Sequence, residues 1–115
     1  ERALKIDEAA FGPDHPNVAT DVNNLGGVLR ALGDDAGARA MFERALKINE
    51  AAFGPDHPDV AVLANNLGLV LQDMGDYAGA RAMLERALKI FERVLGPDHP
   101  HTATVQLHLY FFLPE

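Results

Sequence analysis

The chain has no cysteine. Disulfides, thiolate metal sites and cysteine nucleophiles are excluded, and the lack is compatible with a reducing compartment, so a cytoplasmic location is expected. A basic excess is missing as well. Ten Lys and Arg stand against seventeen Asp and Glu, a formal net charge of −7 over 115 residues. Binding to a phosphate backbone relies on counterion release by clustered cations, so no nucleic-acid partner is expected. No apolar run approaches the ~18 residues of a membrane span and no secretory signal opens the sequence, so no membrane partner is expected. There is no P-loop, no dinucleotide fingerprint, no HExxH and no carboxylate pair placed in an identifiable cleft. These absences describe a non-enzyme with no cofactor. The remaining composition, 48% hydrophobic and 23% charged, is that of a folded chain without disordered-type bias.

What is present is repetition. ERALKI begins at residues 1, 43 and 85 and GPDHP at 12, 54 and 96, a period of 42. Residues 1–42 match 43–84 at 31 of 42 positions, and the incomplete third copy, 85–115, matches the second at 15 of 31, fading after Pro100. Copies that must each bury an apolar stripe against a neighbour form a solenoid rather than a closed domain. The chain divides into 1–11, a partial helix B; 12–53, the first repeat; 54–95, the second; and 96–115, a partial repeat or cap helix.

Each full period reads as two helices. Helix A is expected over about Pro16–Leu32, with Val18, Val22, Leu25, Leu29 and Leu32 on one stripe of helical period. Gly33 suits the left-handed residue that ends a helix, and Asp34 or Asp35 suits the next N-terminus. Helix B is expected over about Ala36–Phe53, with Ala38, Met41, Phe42, Ala45, Ile48, Ala52 and Phe53 inward. The second pair falls at about Pro58–Met74, with Val60, Ala64, Leu67, Leu71 and Met74 inward, and Tyr77–Leu95. A lone helix A follows over 100–113. Short loops make neighbours antiparallel, and the fold class is all-α.

Leu25, Gly26, Gly33, Asp34, Ala38, Ala45 and Leu46 recur as Leu67, Gly68, Gly75, Asp76, Ala80, Ala87 and Leu88. With NNLGGVLRALGDDAGARAMFERALKI, NNLGLVLQDMGDYAGARAMLERALKI and the preceding GPDHPxVA, the chain resembles the 42-residue kinesin-light-chain type of tetratricopeptide repeat. The resemblance implies a right-handed α-solenoid of antiparallel helix pairs, a scaffold rather than a catalyst, whose concave face of A helices receives an extended peptide or partner segment. It matches Asn24 and Asn66 to the groove amide that holds a peptide main chain; Asn offers both a donor and an acceptor for that role. The Asn23-Asn24 and Asn65-Asn66 pairs are otherwise poor helix-interior residues, with bonding between adjacent repeats as the alternative role. By the same register Thr20, Asn23, Gly27, Arg30 and Ala31, with Val62, Asn65, Leu69, Gln72 and Asp73, face the concavity. Most differences between the two full copies fall on this helix. Kinesin-light-chain grooves favour acidic peptides through basic residues, whereas here Arg30 is accompanied by Asp21 and Asp73, a departure that argues against an acidic cargo.

His15, His57 and His99 sit one period apart. Successive copies are separated by at least a helix layer, roughly 10 Å, too far to share a metal ion, so turn and cap roles are expected and no metal site. Glu43 with Lys47, and Glu85 with Lys89, are expected as i,i+4 pairs on the outer face of helix B. Tyr110 replaces the small residue of Gly26 and Gly68, and with Phe111, Phe112 and Leu113 forms a candidate self-association patch. Three function classes follow: a protein or peptide interaction scaffold; a regulatory or sensor segment of a larger bacterial signalling ATPase; and a structural repeat forming homo-oligomers through its terminal helices.

Overall fold

The computed structural model of the chain describes residues 2–112. Its order is α1 (Arg2–Phe11), α2 (Pro16–Ala31), α3 (Asp35–Phe53), α4 (Pro58–Asp73), α5 (Tyr77–Val94), α6 (Pro100–Leu109) and a 3-10 turn (Tyr110–Phe112). Helices α2, α4 and α6 are the A helices; α1, α3 and α5 are B helices. Each packs mainly on its sequence neighbours, and α2 and α4 touch lightly across the row. The result is a right-handed α-solenoid measuring 49 × 31 × 20 Å.

Local chemistry sets the boundaries. Pro16, Pro58 and Pro100 open the A helices at the position where a missing N–H costs nothing. His15, His57 and His99 are their N-caps, each ring Nδ1 accepting the backbone N–H two residues on, from Asn17, Asp59 and His101, at 3.0 Å. An accepting Nδ1 carries no proton, so each of these rings is held with its hydrogen on Nε2. The cap role expected from the spacing is therefore what these histidines do. Gly33, at φ 83°, ends α2: its N–H donates to Arg30 O at 3.0 Å while Asp34 N–H reaches Leu29 O at 2.8 Å. Gly75 repeats this after α4. The 6→1 and 5→2 pair closes the helix and needs a left-handed residue. Asp34 and Asp76 then cap α3 and α5 by accepting from Gly37 and Gly79 N–H at 3.0 Å.

The core runs as one continuous seam through the stack. Val18 and Val22 of α2, Ala38, Phe42, Ala45 and Ile48 of α3, Val60, Ala64, Leu67 and Leu71 of α4, Ala80, Leu84 and Ala87 of α5, and Val105 of α6 are all buried. Gly26 and Gly68 allow the close A-to-B approach. A Cβ on Gly26 would stand 2.7 Å from the Phe42 ring, and one on Gly68 2.9 Å from Leu84.

The inward stripes are shorter than expected. Leu32 is 77% exposed, and Met74, Ala52 and Phe53 also face outward. Leu32 and Met74 are the C-cap residues of α2 and α4, beyond the stretch that a B helix covers. Phe53 instead stacks on the capping ring of His57 at 4.6 Å, as Phe11 does on His15 at 4.5 Å. Helix α6 stops at Leu109 rather than continuing to 113, and Tyr110 begins the 3-10 turn.

Candidate functional site

The A-helix face is assembled from residues one repeat apart. Asn66 Nδ2 donates to Asn23 Oδ1 at 2.9 Å, and His108 Nδ1–H donates to Asn65 Oδ1 at 2.7 Å. The offset is 43 residues, one more than the period. The first Asn of one repeat therefore serves as acceptor for the position of the second Asn in the next. Arg30 makes the same step to Asp73, with Nε–Oδ2 at 2.7 Å and Nη2–Oδ1 at 3.4 Å. Three of the four asparagines are thus engaged between repeats, and Asn24 is exposed with its amide open.

Two clefts follow one another along α2 and α4. The smaller, about 170 Å³, is lined by Ala19, Thr20, Asn23, Asn49, Asp59, Val62 and Leu63. The larger, about 320 Å³, is lined by Gly27, Arg30, Ala31, Phe42, Asn66, Leu69 and Asp73. Of the residues matched to the concave face, Thr20, Asn23 and Val62 meet in the first cleft. Gly27, Arg30, Ala31, Asn66, Leu69 and Asp73 meet in the second. Asn24, Asn65 and Gln72 line neither. A Cβ on Gly27 would meet nothing within 4 Å, so the larger cleft is open above it.

Asn49, Asp59 and Leu63 of the smaller cleft lay outside the sequence reading. Asn49, on α3, is 8% exposed and its Oδ1 has no hydrogen-bond partner. Its signal was a lone amide beside Ile48 on the buried side of a helix. The Arg30–Asp73 pair was also missed. Its signal was the paired exchange of Arg30 for Gln72 and Ala31 for Asp73, complementary only when the copies are offset by one residue.

The opposite, B-helix face carries ion pairs of another pattern. Glu43 and Glu85 pair backward with Arg39 at 3.2 Å and Arg81 at 2.8 Å, not forward with Lys47 and Lys89 as expected. The lysines stay out in solvent, as a strongly hydrated ammonium favours. Arg44 and Arg86 instead cross to the preceding B helix, meeting Glu8 at 2.9 Å and Glu50 at 2.7 Å. Each also donates to a loop carbonyl, Pro13 or Pro55. One guanidinium thereby clamps both the helix and the turn of its neighbour.

His108 has its protonation biased by its surroundings. Burial lowers its pKa from the ordinary 6.5, and the Arg30 charge lowers it further. At the terminal patch, Phe111 and Phe112 find a partner within the chain. Tyr77 lies 5.5 Å from Phe111 and 6.5 Å from Phe112, ring centre to ring centre. Phe112 packs against the core, while Tyr110 and Phe111 stay 64% and 56% exposed. Leu113 lies outside the described residues. No group of three or more His, Cys, Asp and Glu among the described residues could hold a metal ion. None of their helices is long and apolar enough to cross a membrane.

Comparison with known proteins agrees with this architecture. The tetratricopeptide repeat model matches residues 22–59 and 60–101, well over half of the chain. No curated protein sequence matches. Among solved structures, the crystal structure of BtubC (BKLC) from P. vanneervenii superposes with a TM-score of 0.75 at 22% identity, covering 84% of this chain. That match spans 39% of the BtubC chain, so the likeness is one of fold over a part of that protein. With a 42-residue period, capped A and B helices and two matched repeats, the chain belongs to the tetratricopeptide repeat family.

Proposed function

We propose that the chain is a non-enzymatic interaction scaffold that holds an extended peptide or partner segment along its A-helix face. Repeats of this family serve as protein-interaction scaffolds in general. The observation that carries the finer reading is the pair of consecutive clefts between α2 and α4. They lie along the helix axes, combine apolar floor (Val62, Leu69) with amides, and are flanked by the open amide of Asn24. An extended main chain requires alternating donors and acceptors, which amides supply without regard to its sequence. On the B-helix face, by contrast, Arg44 and Arg86 are taken by neighbouring repeats and Arg39 and Arg81 by glutamates of their own helix.

Gly27→Gln is the direct test. A Cβ at this position meets nothing within 4 Å, so a side chain can extend from it into the larger cleft, and replacing a helix-interior glycine favours the fold by about 0.5–1 kcal/mol. Peptides selected from a random library against the native chain are expected to lose affinity for Gly27→Gln while its thermal midpoint holds or rises. Lys47→Gln, on the B face, is expected to bind them normally. Retained affinity in Gly27→Gln would contradict the groove reading.

A second reading concerns Tyr110 and Phe111, whose exposure leaves an aromatic surface beside Tyr77. We propose that copies associate weakly through it. Sedimentation should show mass rising with concentration, an effect that Tyr110→Ser with Phe111→Ser removes. A monomer at every concentration would eliminate this association.

A further inference from the structure

Resting on the groove reading, we propose that the smaller cleft is a subsite for a basic side chain, taking the ammonium of a lysine or the guanidinium of an arginine on the bound segment. The cleft gathers acceptors from three helices, beside the amide hydrogens of Asn23 and Asn49 and the apolar Val62 and Leu63. Asn49 comes from α3, Thr20 from α2 and Asp59 from the first turn of α4. Asn49 is more than nine-tenths buried, yet its Oδ1 has no partner. Buried polar atoms are almost always paired, and an unpaired one carries its full desolvation penalty. The packing does not require an amide there. One period later the same position is Phe91, which is buried at 2% exposure. An apolar residue thus fits where Asn49 keeps an unanswered acceptor.

The remaining groups have matching polarity. Asp59 is 58% exposed at its side chain and supplies a negative charge. Thr20 spends its hydroxyl hydrogen on Pro16 O at 3.3 Å, leaving its oxygen free to accept. Asn23 has its Oδ1 already engaged by Asn66. No cationic side chain lines the cleft. In the adjoining cleft the guanidinium of Arg30 is taken by Asp73, so a carboxylate side chain meets no unpaired cation in either. A basic head group supplies both the donors that the Asn49 oxygen lacks and the charge that Asp59 favours, in a chain already at −7.

The test uses three blocked tripeptides, acetyl-Ala-X-Ala-amide with X as lysine, norleucine or glutamate, titrated into the ¹⁵N-labelled full chain. The lysine peptide is expected to shift the Asn49 side-chain amide signals and to bind about tenfold more tightly than the norleucine peptide, one charge-assisted hydrogen bond's worth. Added salt should erode that preference. Asn49→Leu, which swaps an unsatisfied amide for a residue of the class that packs there in the next copy, should keep the fold and abolish it. Asp59→Asn, at an exposed position, should reduce it. Equal affinities for the lysine and norleucine peptides, or an Asn49→Leu chain that keeps the lysine preference, would overturn the subsite. If all three peptides move the Asn24 and Leu69 backbone signals equally while the Asn49 amide stays still, the groove survives and the basic subsite does not. If no A-helix signal moves with any peptide, both readings fall.

Discussion

His108 donates to Asn65 at 2.7 Å and feels the positive charge of Arg30, with burial the larger influence on its titration. Both effects disfavour the imidazolium, so the folded pKa lies below the ordinary 6.5. The sign follows: between the two values the unfolded chain holds a proton that the folded chain has released. Stability contributed by the neutral ring is complete above the unfolded value and is lost as pH falls through it towards the folded one. An NMR titration of the ring carbons should place the His108 midpoint below that of the unfolded chain. Arg30→Gln should move it upward; a midpoint that Arg30→Gln leaves unmoved would remove the charge from this explanation. The Asn65–His108 bond also shows where residue reading reaches its limit. Asn23, Asn24, Asn65 and Asn66 are conspicuous in the sequence because amides are unsuited to helix interiors. Which of them bonds across repeats depends on the 43-residue offset that tilted packing produces, and a 42-residue period does not reveal it. Asn49 escaped notice because its importance lies in a missing partner, a property of three helices together.

At the scale of the helix, the boundaries were legible because their causes are local. A proline, a capping histidine two residues from its donor, and a left-handed glycine act within a few residues, and each recurs in register. The outward turn of Leu32 and Phe53 was not legible, since apolar periodicity does not say how far along a helix its neighbour extends. The adjacent glycines of α2 separate these two kinds of information. Gly26 faces Phe42, whose ring is 2% exposed and enclosed, whereas Gly27 faces open cleft. Gly26→Ala is expected to destabilise the chain by about 1–3 kcal/mol through overpacking, less the gain in helix propensity. Gly27→Ala should stabilise it by about 0.5–1 kcal/mol. Urea unfolding of the two variants beside the native chain checks this. Shifts of the same sign would mean that the contact between α2 and α3 is looser than described.

At the scale of the molecule, one geometry explains both the core and the clefts. The A helices lie side by side because each B helix packs against the A helix before it and the one after it, as α3 does with α2 and α4. Phe42 belongs to α3, yet it both fills the space over Gly26 and lines the larger cleft. The candidate groove therefore exists only where repeats stack. Stability in such an array is a sum of modest intrinsic terms and neighbour interfaces, so a single hairpin lacks what it needs to fold. The most direct measurement is circular dichroism of residues 12–53 alone beside the full chain. The isolated hairpin is expected to be largely unfolded while the full chain is helical and unfolds cooperatively on heating. An isolated hairpin with the full chain's helicity per residue and a comparable thermal midpoint would contradict the account.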